Sequence, residues 1–297
     1  MKLWSAVQQF TTLMAGTAWL IASVSLSPAL GADPFRTGGT ARPISTETEA
    51  AFTTVFQLGN YVEAKEDIAK AIEADPKEPL VYTLAAGMAV LEQDWAGLNR
   101  YAVQTIQMAQ NLMPTDPLRG NLYQAVGTFL LAAYDVSSAG GGVVLGAPQA
   151  LIKVQQMFQF LDRAKTIDAS DPELNLIQGY LEWGLSSNLG LYSPEQAIQR
   201  LSSHAEPDYL TFRGLALVYR DLNRPDQALE AVNLALKAAP DNPELFYLKA
   251  QILRKQKNYD QALRLYDRAL EKQEQLPADV VKQINRERRQ VQAALTR

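Results

Sequence analysis

The chain has no cysteine and only one histidine, His204, in 297 residues. Without cysteine there is no disulfide framework, thiolate zinc site, iron–sulfur cluster or cysteine nucleophile, and one imidazole cannot build a multi-histidine metal site. No metal and no cofactor is therefore expected. An excess of positive charge is lacking too: 28 Lys and Arg face 32 Asp and Glu, a net charge of −4. Nucleic acid, which needs a clearly basic face, is not an expected partner. What the chain has in quantity is apolar residues, 47% of the total, enough for a large core without disulfides.

The N-terminus begins Met1-Lys2-Leu3-Trp4, followed by a charge-free apolar stretch from Leu13 to Leu26 and by Pro28-Ala29-Leu30-Gly31-Ala32. The apolar stretch is shorter than the roughly 20 residues of a membrane-spanning helix, and small residues follow it. Residues 1–32 therefore read as a secretory signal cut after Gly31 or Ala32, with retention as an anchor the alternative. No twin arginine precedes the stretch and no cysteine follows it, so the expectation is Sec-type export into a periplasm or an equivalent bacterial lumen, without a lipid anchor. Residues 33–44, in the run DPFRTGGTARPIS, are rich in Gly, Pro and Thr and are expected to be a flexible linker.

Self-similarity organises the remainder. The segment from Phe212, FRGLALVYRDLNRPDQALEAVNLALKAAPDNP, aligns with the one from Phe246, FYLKAQILRKQKNYDQALRLYDRALEKQ, at an offset of 34. Phe212 answers Phe246, Ala216 answers Ala250, Ala228 answers Ala262 and Ala235 answers Ala269; DQAL occurs in both. Far away, GNYVEAKEDIAKAIEADP places Tyr61, Ala64, Ile68, Ala71 and Pro76 at the spacing of Tyr259, Ala262, Tyr266 and Ala269.

This pattern resembles the tetratricopeptide repeat, a 34-residue helix–turn–helix with an aromatic and a small residue on its first helix, then Tyr, Ala, aromatic, Ala and Pro. The strongest copies are 45–76, 209–240 and 243–274, within a solenoid expected over 45–276. Between them, Pro79, Pro117 and Pro172 open helix-patterned runs, as Pro in a first helical turn does. Their intervals leave one real insertion, the Gly-rich segment 137–148, placed between a helix ending near Val136 and another from about Gln149 to Ile167. The expected fold is all-α, about six helix pairs plus a polar C-terminal capping helix over 277–297. The resemblance implies a right-handed α-solenoid with an inner groove lined by the first helix of each pair.

Groove positions, spaced i, i+4, i+7 on one face, are then Thr83, Gly87 and Val90; Leu176, Tyr180 and Trp183; Arg213, Leu217 and Arg220; Tyr247, Gln251 and Arg254. The candidate partner-binding residues are Tyr180, Trp183, Arg213, Leu217, Arg220, Tyr247, Gln251 and Arg254, because Tyr, Trp and Arg dominate binding hot spots. Residues 205–297 are relatively basic, 16 Lys and Arg against 13 Asp and Glu. The Asn pattern of the family's carboxylate-clamping groove is absent. Val143, Val144 and Leu145 in the Gly-rich segment form a second candidate, able to touch a partner or a bilayer if they project.

Catalysis has weaker signals. His204 sits in LSSHAEPDY near a helix end, where a capping role is the plainer reading. Asp75, Asp168, Asp171 and Asp241 lie at repeat junctions, as helix caps do. GGGVVLG lacks both the Lys-Ser/Thr of a Walker loop and the strand that precedes a dinucleotide loop. The expected function is a non-catalytic scaffold that binds a peptide segment or protein surface in its groove and supports an envelope or membrane complex. The alternatives are a membrane-peripheral structural protein using the Gly-rich apolar loop and an accessory factor in cell-wall processing.

Overall fold

The computed structural model describes residues 30–36, 40–189 and 193–296; most of the expected signal segment, 1–29, lies outside them. Among the described residues there are thirteen α-helices: α1 (Thr46–Phe52), α2 (Tyr61–Ala74), α3 (Pro79–Leu91), α4 (Trp95–Leu112), α5 (Pro117–Val136), α6 (Gly142–Ile167), α7 (Pro172–Leu189), α8 (Pro194–Ser203), α9 (Asp208–Asp221), α10 (Pro225–Ala238), α11 (Pro243–Lys255), α12 (Tyr259–Leu270) and α13 (Ala278–Leu295). They form six consecutive antiparallel pairs and a final helix, an all-α solenoid of helix pairs. A π-helical stretch, Thr53–Gln57, continues α1. The two-residue strands β1 (Leu30–Gly31) and β2 (Ile44–Ser45) pair antiparallel at the start.

Local sequence chemistry sets the helix ends. Ser45, Asn60, Asp94, Asp116 and Ser193 each accept a backbone N–H of the first turn through their side chains, and Glu78 and Asn242 do the same just before Pro79 and Pro243. These bonds satisfy donors that the helix itself leaves orphaned. Turns within pairs carry a left-handed residue at a fixed register: Gly59 and Gln93 lie 34 apart, as do Asn223 and Lys257, with φ between 56° and 64°.

Packing within the pairs rests on small residues. Ala64 and Ala71 on α2, Ala228 and Ala235 on α10, and Ala262 and Ala269 on α12 are all completely buried, which lets helix backbones approach closely. At the equivalent places of α4 stand Leu98 and Thr105, equally buried. The α5–α6 pair is the longest, and builds its own core from Leu122, Ala125, Met157, Leu161 and Ala164 against Leu174 and Leu185 of α7.

The Gly-rich segment differs from expectation. Helix α6 begins at Gly142, not near Gln149, and carries Pro148 inside its early turns. Gly146 makes this possible, since a Cβ there would lie 1.8 Å from the Asp135 carbonyl oxygen; only glycine lets the start of α6 press onto the end of α5.

The array also closes on itself. Asn242, before α11, donates its side-chain amide to the Phe56 carbonyl at 3.0 Å, and Gln57 donates to the Ala238 carbonyl at 3.4 Å. One core cluster accordingly joins Phe52, Val55 and Ile68 with Leu210, Val218, Leu248 and Ile252. The first pair is thus packed against the fifth and sixth, and the concave wall curves around a partly open cavity.

Candidate functional site

The concave wall lines a cavity of about 450 Å³. Its walls come from the first helices of successive pairs: Phe52 and Phe56 from the first, Leu84, Gly87 and Met88 from α3, Val126 and Phe129 from α5, Leu176 and Ile177 from α7, and Leu210 from α9. The polar side chains on the lining are few, and each is already bonded. Thr83 donates to the Pro79 carbonyl at 3.1 Å, Tyr180 to the Leu210 carbonyl at 2.7 Å, and Tyr123 to Glu173 at 2.5 Å. Arg213 donates to Glu244 at 3.3 Å. Tyr61 lies beside the same carboxylate; burial first, then the negative Glu244, push its phenol pKa well up.

Phe35 closes part of this wall. It is buried and meets Phe52 edge-on, with ring centroids 5.1 Å apart. Its neighbour Arg36 reaches Asp171 at 2.7 and 2.5 Å and Glu173 at 3.0 Å. Arg42 reaches Asp116 at 2.6 Å, and Arg119 forms a two-pronged pair with Glu78 at 2.6 and 2.9 Å while touching Glu173 at 3.1 Å. Glu173 is completely buried. Burial would raise its pKa, yet Arg119, Arg36 and the Tyr123 hydroxyl outweigh that effect and hold it below the usual carboxylate range. Residues 33–36 and 40–45 are therefore no free linker, contrary to expectation: Arg36 and Arg42 of this strap bind carboxylates at the starts of α5 and α7, and their release would leave Asp116 and Asp171 without a cation and Glu173 with Arg119 alone.

The expected groove residues do come to one face, but their polar ends meet one another. Trp183 donates to Asp221 at 3.1 Å; Arg220 donates to Asp221 at 2.8 Å and to Gln251 at 2.7 Å. Gln251 and Tyr247 both donate to Glu287 of α13, at 3.2 and 2.9 Å, as does Tyr266 at 3.0 Å. Arg254 contacts Gln290 at 3.1 Å and Glu287 at 3.7 Å. Leu217 is buried core rather than groove surface. Glu287 thus occupies, from within the chain, the place an acidic partner side chain would take. Hydrogen bonds from Gln283, Tyr247 and Tyr266 overcome its burial and keep its pKa low.

The second candidate behaves differently. Val144 and Leu145 are 87% and 73% exposed on the first turn of α6, and Leu151 and Ile152 follow at about half exposure on the next turns. The side chain of Val143 lies outside the described residues. His204 is an exposed C-cap of α8. Asp171 caps α7 by accepting from Leu174 and also binds Arg36. Asp75 and Asp168 stand at C-caps, of α2 and α6, and Asp241 in the turn before Asn242. Sequence reasoning missed Phe35, Arg36, Glu173 and Glu287. Its one available signal was the pair of charged residues, Arg119 and Glu173, in the first turns of helices that otherwise bury their inner faces.

Helix pairs stacked around a concave wall define the protein as a helical-repeat scaffold. Residues 213–277 and 56–78 each match a family model for the tetratricopeptide repeat, so the chain carries tetratricopeptide repeats near both ends of its solenoid. Such repeats make protein–protein interaction scaffolds, typically without catalysis. No curated protein matches the chain. Among solved structures it is similar to a thermophilic TPR protein from Thermus thermophilus, with 17% identity over 84% of this chain and 98% of that one and a TM-score of 0.32. The two superpose loosely, so the architecture above rests on the contacts of this chain.

Proposed function

We propose that this protein is a non-catalytic scaffold of an exported compartment, holding a partner protein on its outer surface and so supporting assembly or maintenance of an envelope or membrane complex. The export reading rests on the sequence features of residues 1–32, and the protein partner on the repeats. The observation that carries the choice of surface is the contrast in exposure: the Arg and Tyr of the inner face are bonded within the chain, while Val144 and Leu145 stand out from α6. An exposed apolar cluster of this kind marks an interaction site. A bilayer surface is the second reading, favoured by the same side chains. It is the weaker one, because the only cation on the early turns of α6, Lys153, is paired with Asp135, whereas interfacial helices usually add basic residues for anionic lipid. His204, exposed at a helix end, lends nothing to a role in cell-wall processing.

The test is photo-crosslinking in native cells from position 145, with position 251 as the inner-face control. A discrete protein adduct at 145, lost in an Ile152→Asp variant, supports the reading. Adducts at 251 alone would return the partner to the groove, and flotation of the purified protein with anionic vesicles, abolished by Leu145→Asp, would favour the bilayer.

A further inference from the structure

We propose that the central cavity binds the hydrocarbon chain of a lipid-type molecule. The site is separate from the α6 surface and independent of what that surface binds.

The volume, about 450 Å³, falls within the 300–1,000 Å³ of ordinary small-molecule sites. Its lining then decides the chemistry. Thr83, Tyr123 and Tyr180 direct their hydroxyls into the protein, Arg213 reaches Glu244, and Tyr61 faces the same carboxylate. An extended peptide entering here would bring backbone N–H and C=O groups with nothing to receive them, at a cost of about 1–3 kcal/mol each. A helix satisfies its own backbone, but at roughly 10–12 Å across it is far thicker than a hydrocarbon chain. A hydrocarbon chain brings no polar groups, is narrow, and meets Phe, Leu, Val, Ile and Met over most of the lining.

Gly87 supplies an independent argument. It lies inside α3, where glycine costs about 1 kcal/mol relative to alanine. Gly120, Gly127, Gly179 and Gly214 are explained by a neighbour that would collide with a Cβ, whereas at Gly87 and Gly184 no neighbour would collide, and of these two only Gly87 lines the cavity. Here an added Cβ would meet nothing within 4 Å, and φ is not in the left-handed region, so neither packing nor backbone geometry calls for glycine. Its effect is to leave the cavity wall recessed between Thr83 and Leu91. The same position therefore offers a way to fill the cavity while improving local helix propensity.

The experiment titrates the purified full chain with cis-parinaric acid, whose polyene fluoresces strongly in an apolar site. The expected result is saturable binding at one probe per protein, displaced by hexadecanol. Gly87→Phe should weaken binding about tenfold or more with unchanged helical circular dichroism and urea midpoint, and Gly87→Ala should leave it nearly as in the parent. Displacement by monomeric hexadecanol alone assigns the chain to a soluble single-chain amphiphile; displacement by phosphatidylcholine vesicles as well assigns it to membrane lipid. Equal binding by the parent and a folded Gly87→Phe variant would overturn the proposal. So would loss of binding in Leu145→Asp with Gly87→Phe unaffected, because the probe would then sit on α6.

Discussion

Thr83, Gly87 and Val90 on α3 occupy the same register as Tyr247, Gln251 and Arg254 on α11, namely four, eight and eleven residues beyond the prolines that open each helix. In the second pair these positions are small or apolar: Thr83 and Gly87 line the cavity, and Val90 is exposed beside it. In the sixth pair they are long and polar, and α13 lies across them with Glu287 accepting from Tyr247 and Gln251. The repeat fixes the direction in which a side chain points. What covers that direction, open space or a terminal helix, decides whether the position can meet a ligand.

The comparison can be broken most forcefully beneath the cavity wall. Glu173 receives Arg36, Arg119 and Tyr123 in complete burial. Glu173→Gln should therefore cost about 3–5 kcal/mol in urea unfolding, the scale for breaking a buried ion pair. At the other end Glu287 is also buried, but its partners Tyr247, Gln251 and Arg254 are partly exposed and its one cation is 3.7 Å away; Glu287→Gln should cost about 1–2 kcal/mol by the same measurement. A ratio in the opposite order would mean that α13, rather than the strap, holds the concave wall in shape.

Acid sharpens the same contrast. The pKa values of Glu173 and Glu287 are both held below the normal carboxylate range. Groups of this kind contribute their stability above the unfolded pKa, near 4.3, and lose it as pH falls through the folded value. The urea midpoint should hold level from neutral pH down to about 5, then fall steeply below about 4. A Glu173→Gln variant should flatten that fall more than Glu287→Gln. The smallest effect belongs to Gly87→Ala, expected to raise stability by up to about 1 kcal/mol, because its Cβ enters open space.

Much of the fold was legible because three repeats keep alanine where helices touch: Ala64 and Ala71, Ala228 and Ala235, Ala262 and Ala269. The second pair was harder to read, since Leu98 and Thr105 fill those places with different volumes while the helix geometry survives. The site was legible only in part. Spacing alone put Tyr180, Arg213, Tyr247 and Gln251 on one face. It could not show that their polar ends would meet the Leu210 carbonyl, Glu244 or Glu287, because those partners belong to other helices. The strap was hidden for the same reason, amplified: Arg36 finds Asp171 across 135 residues of sequence, and a Gly-, Thr- and Pro-rich stretch has no periodicity to announce a buried Phe35.

The central claim is that the solenoid closes, with its first pair seated on the fifth and sixth, so that the concave wall becomes a cavity. The chain has no native cysteine, so Gln57→Cys and Ala238→Cys can be joined by a short bis-maleimide without competing thiols. The account predicts a rapid intramolecular crosslink in native buffer that disappears in urea. An absence of crosslinking in native buffer, with each cysteine reacting freely with a single maleimide, would contradict it and leave an open superhelix without a cavity.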